Sequence, residues 1–416
     1  MKAIATERLR SPVLPFLATQ PLTDHHCHGV LAEGGDLESL LTEGDGGLAA
    51  GGTAFDSLIG LAFRRWCPPL LGLPAFCGLP EYTARRAELG GIEVGRRFLG
   101  AAGLDALCVD TGFAPTALLT PAETAALAGP GAPGHAVSAY EIVRLEQVAE
   151  FLAVAGTGAN EFPEAFRAAV AERASQPAVV GLKSIAAYRV GLDLRPERPS
   201  DAEVVTAAGR WLTADDGPPD GGPGDNRPAD VGPGDDGPAG RRVPRLAQEV
   251  LHRFLIWTGA DLGLPVQFHV GYGDRDIDLH RCNPLLLTPL LRALEPTGAA
   301  VMLLHNYPYH REAGYLAQVF PNVYCDLGLT THNVGSRAPE VLAEALEMVP
   351  FGKFLYSSDA FALPELYYLG ATLFRDALSR FLSARLDSGD MTLDDAERVT
   401  RLICTENAAR VYCLPA

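Results

Sequence analysis

Residues 301–305 read Val301-Met302-Leu303-Leu304-His305, an apolar run of strand length that closes on a polar side chain. The same form recurs along the chain. Val179-Val180-Gly181-Leu182 closes on Lys183, Val266-Gln267-Phe268 on His269, and Phe354-Leu355-Tyr356-Ser357-Ser358 on Asp359. Near-continuous apolar runs of this length suit parallel strands covered on both faces. Working outward adds Leu22–His28, Ala106–Thr111, Ile142–Glu146 and Val323–Leu327, so eight strands are expected. Helical patterns lie between them, at Glu161–Arg173, Arg245–Gly259 and Pro339–Met348. His269 to His305 spans 36 residues and Asp326 to Asp359 spans 33. One βα unit per roughly 30 residues is the rhythm of a (β/α)8 TIM barrel. A doubly wound sheet shares the alternation, but eight units with polar strand ends favour the barrel.

Two intervals exceed the rhythm. His28 to Asp110 is 82 residues, which reads 29–104 as a long loop or lid after strand one. Lys183 to His269 is 86 residues and contains 214–240, where 7 Asp, 8 Gly and 6 Pro stand against a single Arg. Pro-x-Asp-x-Gly-Pro-Gly-Asp occurs there at 218–225 and again at 228–235. Such a stretch has little to bury against its ordering entropy, so a disordered acidic Gly/Pro/Asp insert is expected. Residues 1–416 are otherwise read as one domain.

Composition excludes some classes. Hydrophobic residues make up 47% and charged residues 20% of the chain, as in globular proteins, and the net charge of −17 disfavours nucleic acid and anionic membrane surfaces as partners. No apolar run approaches a membrane span or a signal segment. Eight cysteines without a Cys-x-x-Cys pair suit a reducing compartment, so a cytoplasmic location is expected. Neither a phosphate-cradling loop nor a Gly-x-Ser-x-Gly elbow is present.

The polar ends carry the chemistry. Strand one closes on Asp24-His25-His26-Cys27-His28, and alternate residues of a strand share a face. His26 and His28 can therefore hold one cation, with Asp24 on their side and His25 turned away. His269 and His305, Lys183 and Asp359 would meet them at the C-terminal end of the barrel strands. Imidazoles plus a carboxylate suit zinc or a similar divalent ion.

This ordered set resembles the amidohydrolase superfamily. Gly181–Arg189 and Ser357–Ala371 look like its branch related to metal-dependent decarboxylases, and like the amidohydrolase-like domain fused to glutamine-synthetase-like proteins. The resemblance implies His26, His28, His269 and Asp359 as metal ligands. His305 would be a further ligand in a two-metal site, or an acid/base and substrate contact in a one-metal site. Lys183 would be a carboxylated bridge between two ions or, unmodified, would orient a substrate carboxylate. One ion is favoured, most readily Zn, with Mn or Fe as alternatives.

The activity so implied is metal-dependent hydrolysis of a C–N or C–O bond in a small carboxylated or aromatic molecule, with Asp359 moving the proton and His305 steadying the oxyanion. A non-oxidative decarboxylase and a non-catalytic binding barrel are the alternatives. Candidate substrate contacts are Tyr188 and Arg189 beyond Lys183, Tyr272 beyond His269, where a plain turn explains the stretch equally well, and Arg64 and Arg85 in the long segment, where a solvated helix is the favoured reading of the arginines. Asp110 and Asp326, at the ends of strands two and seven, either face the pocket or cap turns. His310 and His332 are expected at the surface. Barrels of this kind often form homodimers.

Overall fold

A computed structural model describes residues 13–33, 35–44, 52–113, 118–129, 136–214 and 245–415. Residues 215–240, nearly all of the acidic insert, lie outside them. The strands are β1 (Leu22–Cys27), β2 (Leu104–Asp110), β3 (Ser138–Arg144), β4 (Val179–Ser184), β5 (Val266–Val270), β6 (Val301–His305) and β7 (Val323–Cys325). They form one curled seven-stranded sheet in sequential order, every neighbouring pair parallel. This parallel α/β architecture answers the expected alternation.

β3 departs from its expected range. It begins at Ser138, pairing with Ala106 of β2, and ends at Arg144. Glu146 therefore lies in the first turn of the helix Leu145–Val154 rather than at a strand end. Residues 354–359 pair with both edges of the sheet, although no strand is formed there. Leu355 N donates to Cys325 O of β7 (3.1 Å), His25 N of β1 to Tyr356 O (3.2 Å), and Asp359 N to His26 O (3.0 Å).

The alternation of β5 and β6 divides the interior. Val266, Phe268, Val301 and Leu303 join the main core beneath the helices. Met302 and Leu304 join a smaller cluster with Cys108, Ile142, Leu355 and Tyr412. Gln267, on the same face as this cluster, donates to the Tyr412 hydroxyl (2.8 Å). The chain's last turn thus packs against the concave face of the sheet.

Where a long loop was expected after strand one, the described part is largely helical: Leu58–Leu70, Leu79–Leu89 and Gly91–Ala102. Their apolar residues Phe63, Tyr82, Val94 and Phe98 are buried. A buried ion pair, Arg86 to Glu365 at 2.8 Å, fastens this excursion to the 25-residue helix Pro364–Ser388 that follows Asp359. The excursion is a packed layer because its hydrophobic spacing is helical, which glycine-rich flanks conceal in the sequence.

Candidate metal centre

The strand ends bring the predicted residues together. His26 Nε2 is 3.0 Å and His28 Nε2 3.3 Å from Asp359 Oδ1, and His305 Nδ1 is 3.6 Å from Asp359 Oδ2. The donor atoms of His26, His305 and Asp359 all lie within 4.8 Å of one another, as do those of His26, His28 and Asp110. His269 stacks obliquely on His305, ring centroids 4.6 Å apart, while its Nε2 is held by Tyr272 O at 3.1 Å. Lys183 Nζ lies 3.2 Å from His26 Nε2.

Backbone geometry explains how side chains of unlike parity converge. His305 continues the parity of Val301 and Leu303, which face the helices, yet it faces the histidines. Its φ of 67°, followed by 61° at Asn306, turns the chain at the strand end. Asp359 likewise sits at φ 51°. Non-glycine residues in the left-handed region carry strain, which clusters at functional sites. In β1, a register shift between Asp24 and Cys27 breaks simple alternation. His25 then meets the Tyr412 hydroxyl through Nδ1 (3.0 Å) and Asp326 Oδ2 through Nε2 (2.8 Å). Asp24 does not join the metal-facing group. Its carboxylate accepts from Ser358 N (2.9 Å) and Ser358 Oγ (2.5 Å), bracing the turn that carries Asp359.

The donor set fits a divalent cation. Burial, then the charge of Lys183, pushes His26 down to about 3, and burial pushes His305 down to about 4 against the pull of Asp359. Both rings are therefore neutral at pH 7. Burial opposes ionisation of Asp359, but His305, His26 and His28 outweigh it and hold the carboxyl well below the usual range. The contacts at Asp359 Oδ1 lack hydrogen-bond alignment, and both ring nitrogens of His305 are buried without a partner. Imidazole nitrogens gathered on an ionised carboxylate are the donor types that a divalent cation takes up. His28 Nδ1 is held by Asp110 O (3.2 Å), which leaves Nε2 as its donor, the outer-shell arrangement usual for ligating histidines. Burial lowers Lys183 from 10.5 to about 8.

The other candidates divide. Tyr188 stands against His269 at 4.6 Å between centroids. Tyr272 adjoins the same ring through its carbonyl. Arg189 is turned to Glu150 (3.4 Å). Arg64 lies over Phe76, and Arg85 bonds Leu71 O and Glu88, all partners within the helical excursion. These three arginines are not brought to the histidines by those contacts. Asp110 both caps its turn, Oδ1 accepting from Gly112 N, and lies with a carboxylate oxygen within 4.8 Å of donor atoms of His26 and His28; its Oδ2 also pairs with Arg144 (2.7 Å), which was not foreseen. Asp326 underpins the site, accepting from His305 N (2.6 Å) and Ser357 Oγ (2.7 Å).

His310 and His332 are buried rather than on the surface. His310 pairs with Glu344 at 2.8 Å because its helix packs on Ala338–Ala345, and His332 is pushed down to about 4 by burial. Sequence reasoning missed Phe113 and Phe361, which flank His28 with centroids at 6.2 and 5.9 Å. Adjacency of Phe361 to Asp359 was the available signal; Phe113 follows a strand end by three residues.

A parallel sheet with histidines and an aspartate gathered where its strands end defines the class of metal-site α/β proteins. The amidohydrolase family profile matches residues 225–414. A solved structure from Lactobacillus casei, provisionally designated a metal-dependent hydrolase, is 30% identical, with 96% of each chain covered and a TM-score of 0.75. The chain belongs to the amidohydrolase superfamily. The protein fluG of Emericella nidulans is 34% identical over 264 residues, 61% of this chain. This chain spans 28% of that relative's length. Uronate isomerases from Thermotoga maritima and Bacillus halodurans share the fold at 11% and 15% identity, with TM-scores of 0.56 and 0.57 over 95% and 96% of this chain.

Proposed function

We propose that the protein is a metal-dependent hydrolase that cleaves a C–N or C–O bond of a small carboxylated or aromatic molecule. The observation that carries this is the approach of His26 Nε2 and His28 Nε2 to one oxygen, Asp359 Oδ1, at 3.0 and 3.3 Å without hydrogen-bond alignment. We further infer one catalytic unit, a (β/α)8 barrel whose eighth stave is 354–359, hydrogen-bonded to β7 and β1. His26, His28, His269 and Asp359 would hold one ion, zinc by the nature of its donors, with His305 and Lys183 available to a second. A bound divalent ion supplies Lewis acidity and brings water from a pKa of about 15.7 towards ~7.

The chain's own residues do the rest. Asp359, ionised and with its side chain 11% exposed, is the base that takes the proton of the attacking water and returns it to the leaving nitrogen or oxygen. His305, neutral and with unpaired ring nitrogens, donates to the developing oxyanion. Tyr188 and Tyr272, beside His269, orient the substrate.

Elemental analysis of the purified protein, joined to amide and ester panels, tests this reading. A stoichiometric divalent metal is expected, with turnover abolished in a folded Asp359→Asn variant. Full activity in that variant, or a protein without metal whose turnover survives chelation, refutes it. Release of CO2 from aromatic acids in place of hydrolysis would replace it with the decarboxylase reading.

A further inference from the structure

The imidazoles form part of a continuous chain of ring contacts. Tyr188 meets His269 (4.6 Å), His269 meets His305 (4.6 Å), His305 meets His26 (5.5 Å), and His26 meets His28 (5.2 Å). Beyond His28 the chain ends on Phe361 (5.9 Å) and Phe113, themselves edge-to-face at 4.8 Å and 67°. The two ends differ chemically: a phenol closes one, and a pair of phenyl rings closes the other.

The phenyl end is braced. The Arg144 guanidinium lies 5.7 Å over the Phe113 ring and is itself fixed by Asp110 at 2.7 Å. Phe113 is nevertheless 40% exposed, and Phe361 is partly exposed. A large apolar ring held open to solvent, one imidazole away from Asp359, leaves a face unused. Edge-to-face pairs accept a third ring at 4.5–7 Å and reward it beyond its buried area. Arg144, committed to Asp110 and to Phe113, supplies bracing rather than a seat for a substrate carboxylate on this side.

We propose that Phe113 and Phe361 form a specificity wall for an aromatic ring attached directly, or through one bond, to the carbon that reacts beside Asp359 and His28. This deepens the hydrolase reading and rests on it for the word substrate, but the wall itself is a binding feature that can be tested without turnover. Of the carboxylated and aromatic classes considered above, the aromatic one is selected at this end of the site.

The experiment compares two probes on the metal-loaded protein, benzamide and cyclohexanecarboxamide. They share the carboxamide and ring size and differ in flatness. Affinities are read by saturation-transfer NMR and calorimetric titration, so failure to hydrolyse either amide bears on the hydrolase reading and not on the wall. Benzamide should bind roughly fivefold tighter than its saturated twin. Phe361→Leu and Phe113→Leu, which keep apolar bulk, should erase that preference with little change for the cyclohexane compound, and Phe361→Trp should restore it. Equal binding of the two probes by the native protein overturns the proposal. So does a preference untouched by both leucine substitutions, or no benzamide binding at millimolar concentration.

Discussion

Replacing Glu365 by Gln should destabilise the protein by about 3 kcal/mol, although the residue is outside the proposed metal-binding set. Its carboxylate is fully buried, accepting from Arg86 Nε at 2.8 Å and from the Tyr82 hydroxyl at 2.9 Å through Oε1, with Arg86 Nη2 at 3.5 Å from Oε2. Burial opposes the charge on Arg86, and Glu365 overcomes it, raising the guanidinium above its ordinary value. Glutamine keeps an acceptor for the two short bonds but removes the negative charge, leaving a guanidinium that is 9% exposed without its counterion. Breaking a buried pair from one side costs about 3–5 kcal/mol, and the retained acceptor places this change at the lower end.

Urea unfolding followed by tryptophan fluorescence reads the effect as a shifted midpoint at unchanged slope. Arg86→Met should be at least as damaging, since it leaves a buried carboxylate. The double variant Glu365→Leu/Arg86→Met should recover most of the loss, because apolar replacement of a whole buried pair is often neutral. A loss below about 1 kcal/mol for Glu365→Gln, or a double variant as poor as the two losses added, would refute the argument that this pair fastens the 58–102 helices to the helix behind Asp359.

Ser358→Ala removes the hydroxyl that Asp24 accepts from at 2.5 Å and that caps Ala360 N at 3.0 Å. Chelator competition should show metal held about 10- to 100-fold more weakly, as for other outer-shell partners. Acid unfolding follows from Asp110, Asp326 and Glu146. Burial opposes the ionisation of each, yet Arg144, His25 and His252 respectively outweigh it, so their folded pKa values lie below the ordinary 3.8, 3.8 and 4.5. That stability is complete above the ordinary values and is lost as pH falls through the folded ones. Asp24, pushed up to about 7 mainly by burial, acts oppositely: its contribution holds below 3.8 and is lost as pH rises through 7. Metal-free protein should therefore lose stability steeply below about pH 4 in thermal scans across pH, and a melting temperature as high at pH 3 as at pH 7 would contradict these assignments.

The strands were legible because parallel strands covered on both faces are written as apolar runs; β6 ends on its expected polar closure, and β4 and β5 run one residue past theirs. The convergence of His305 and Asp359 was legible for the same reason, each standing where an apolar run stops, and that of His26 and His28 from their alternate spacing at the end of strand one. Asp24 was misread because alternation assumes a regular strand, and the shift between Asp24 and Cys27 has no signature in the side chains. The pairing of His25 with Tyr412 joins positions 387 residues apart, a contact that only the closed tertiary structure creates. Glu146 was misplaced because Ile142-Val143-Arg144-Leu145 reads as a strand continued into what is a helix. Arg64, Arg85 and Arg189 illustrate the converse limit: a charged side chain at a suitable sequence distance points wherever its nearest carboxylate, carbonyl or ring lies.

His305 and Asp359 hold the proposed chemistry on left-handed backbone that glycine would adopt freely. Glycine at either position would relax the main chain while deleting the functional atom. Heat resistance and function therefore pull these two codons in opposite directions. A mutant library of the metal-free protein selected for survival at high temperature alone should lose them early, whereas selection with the ion present should keep them.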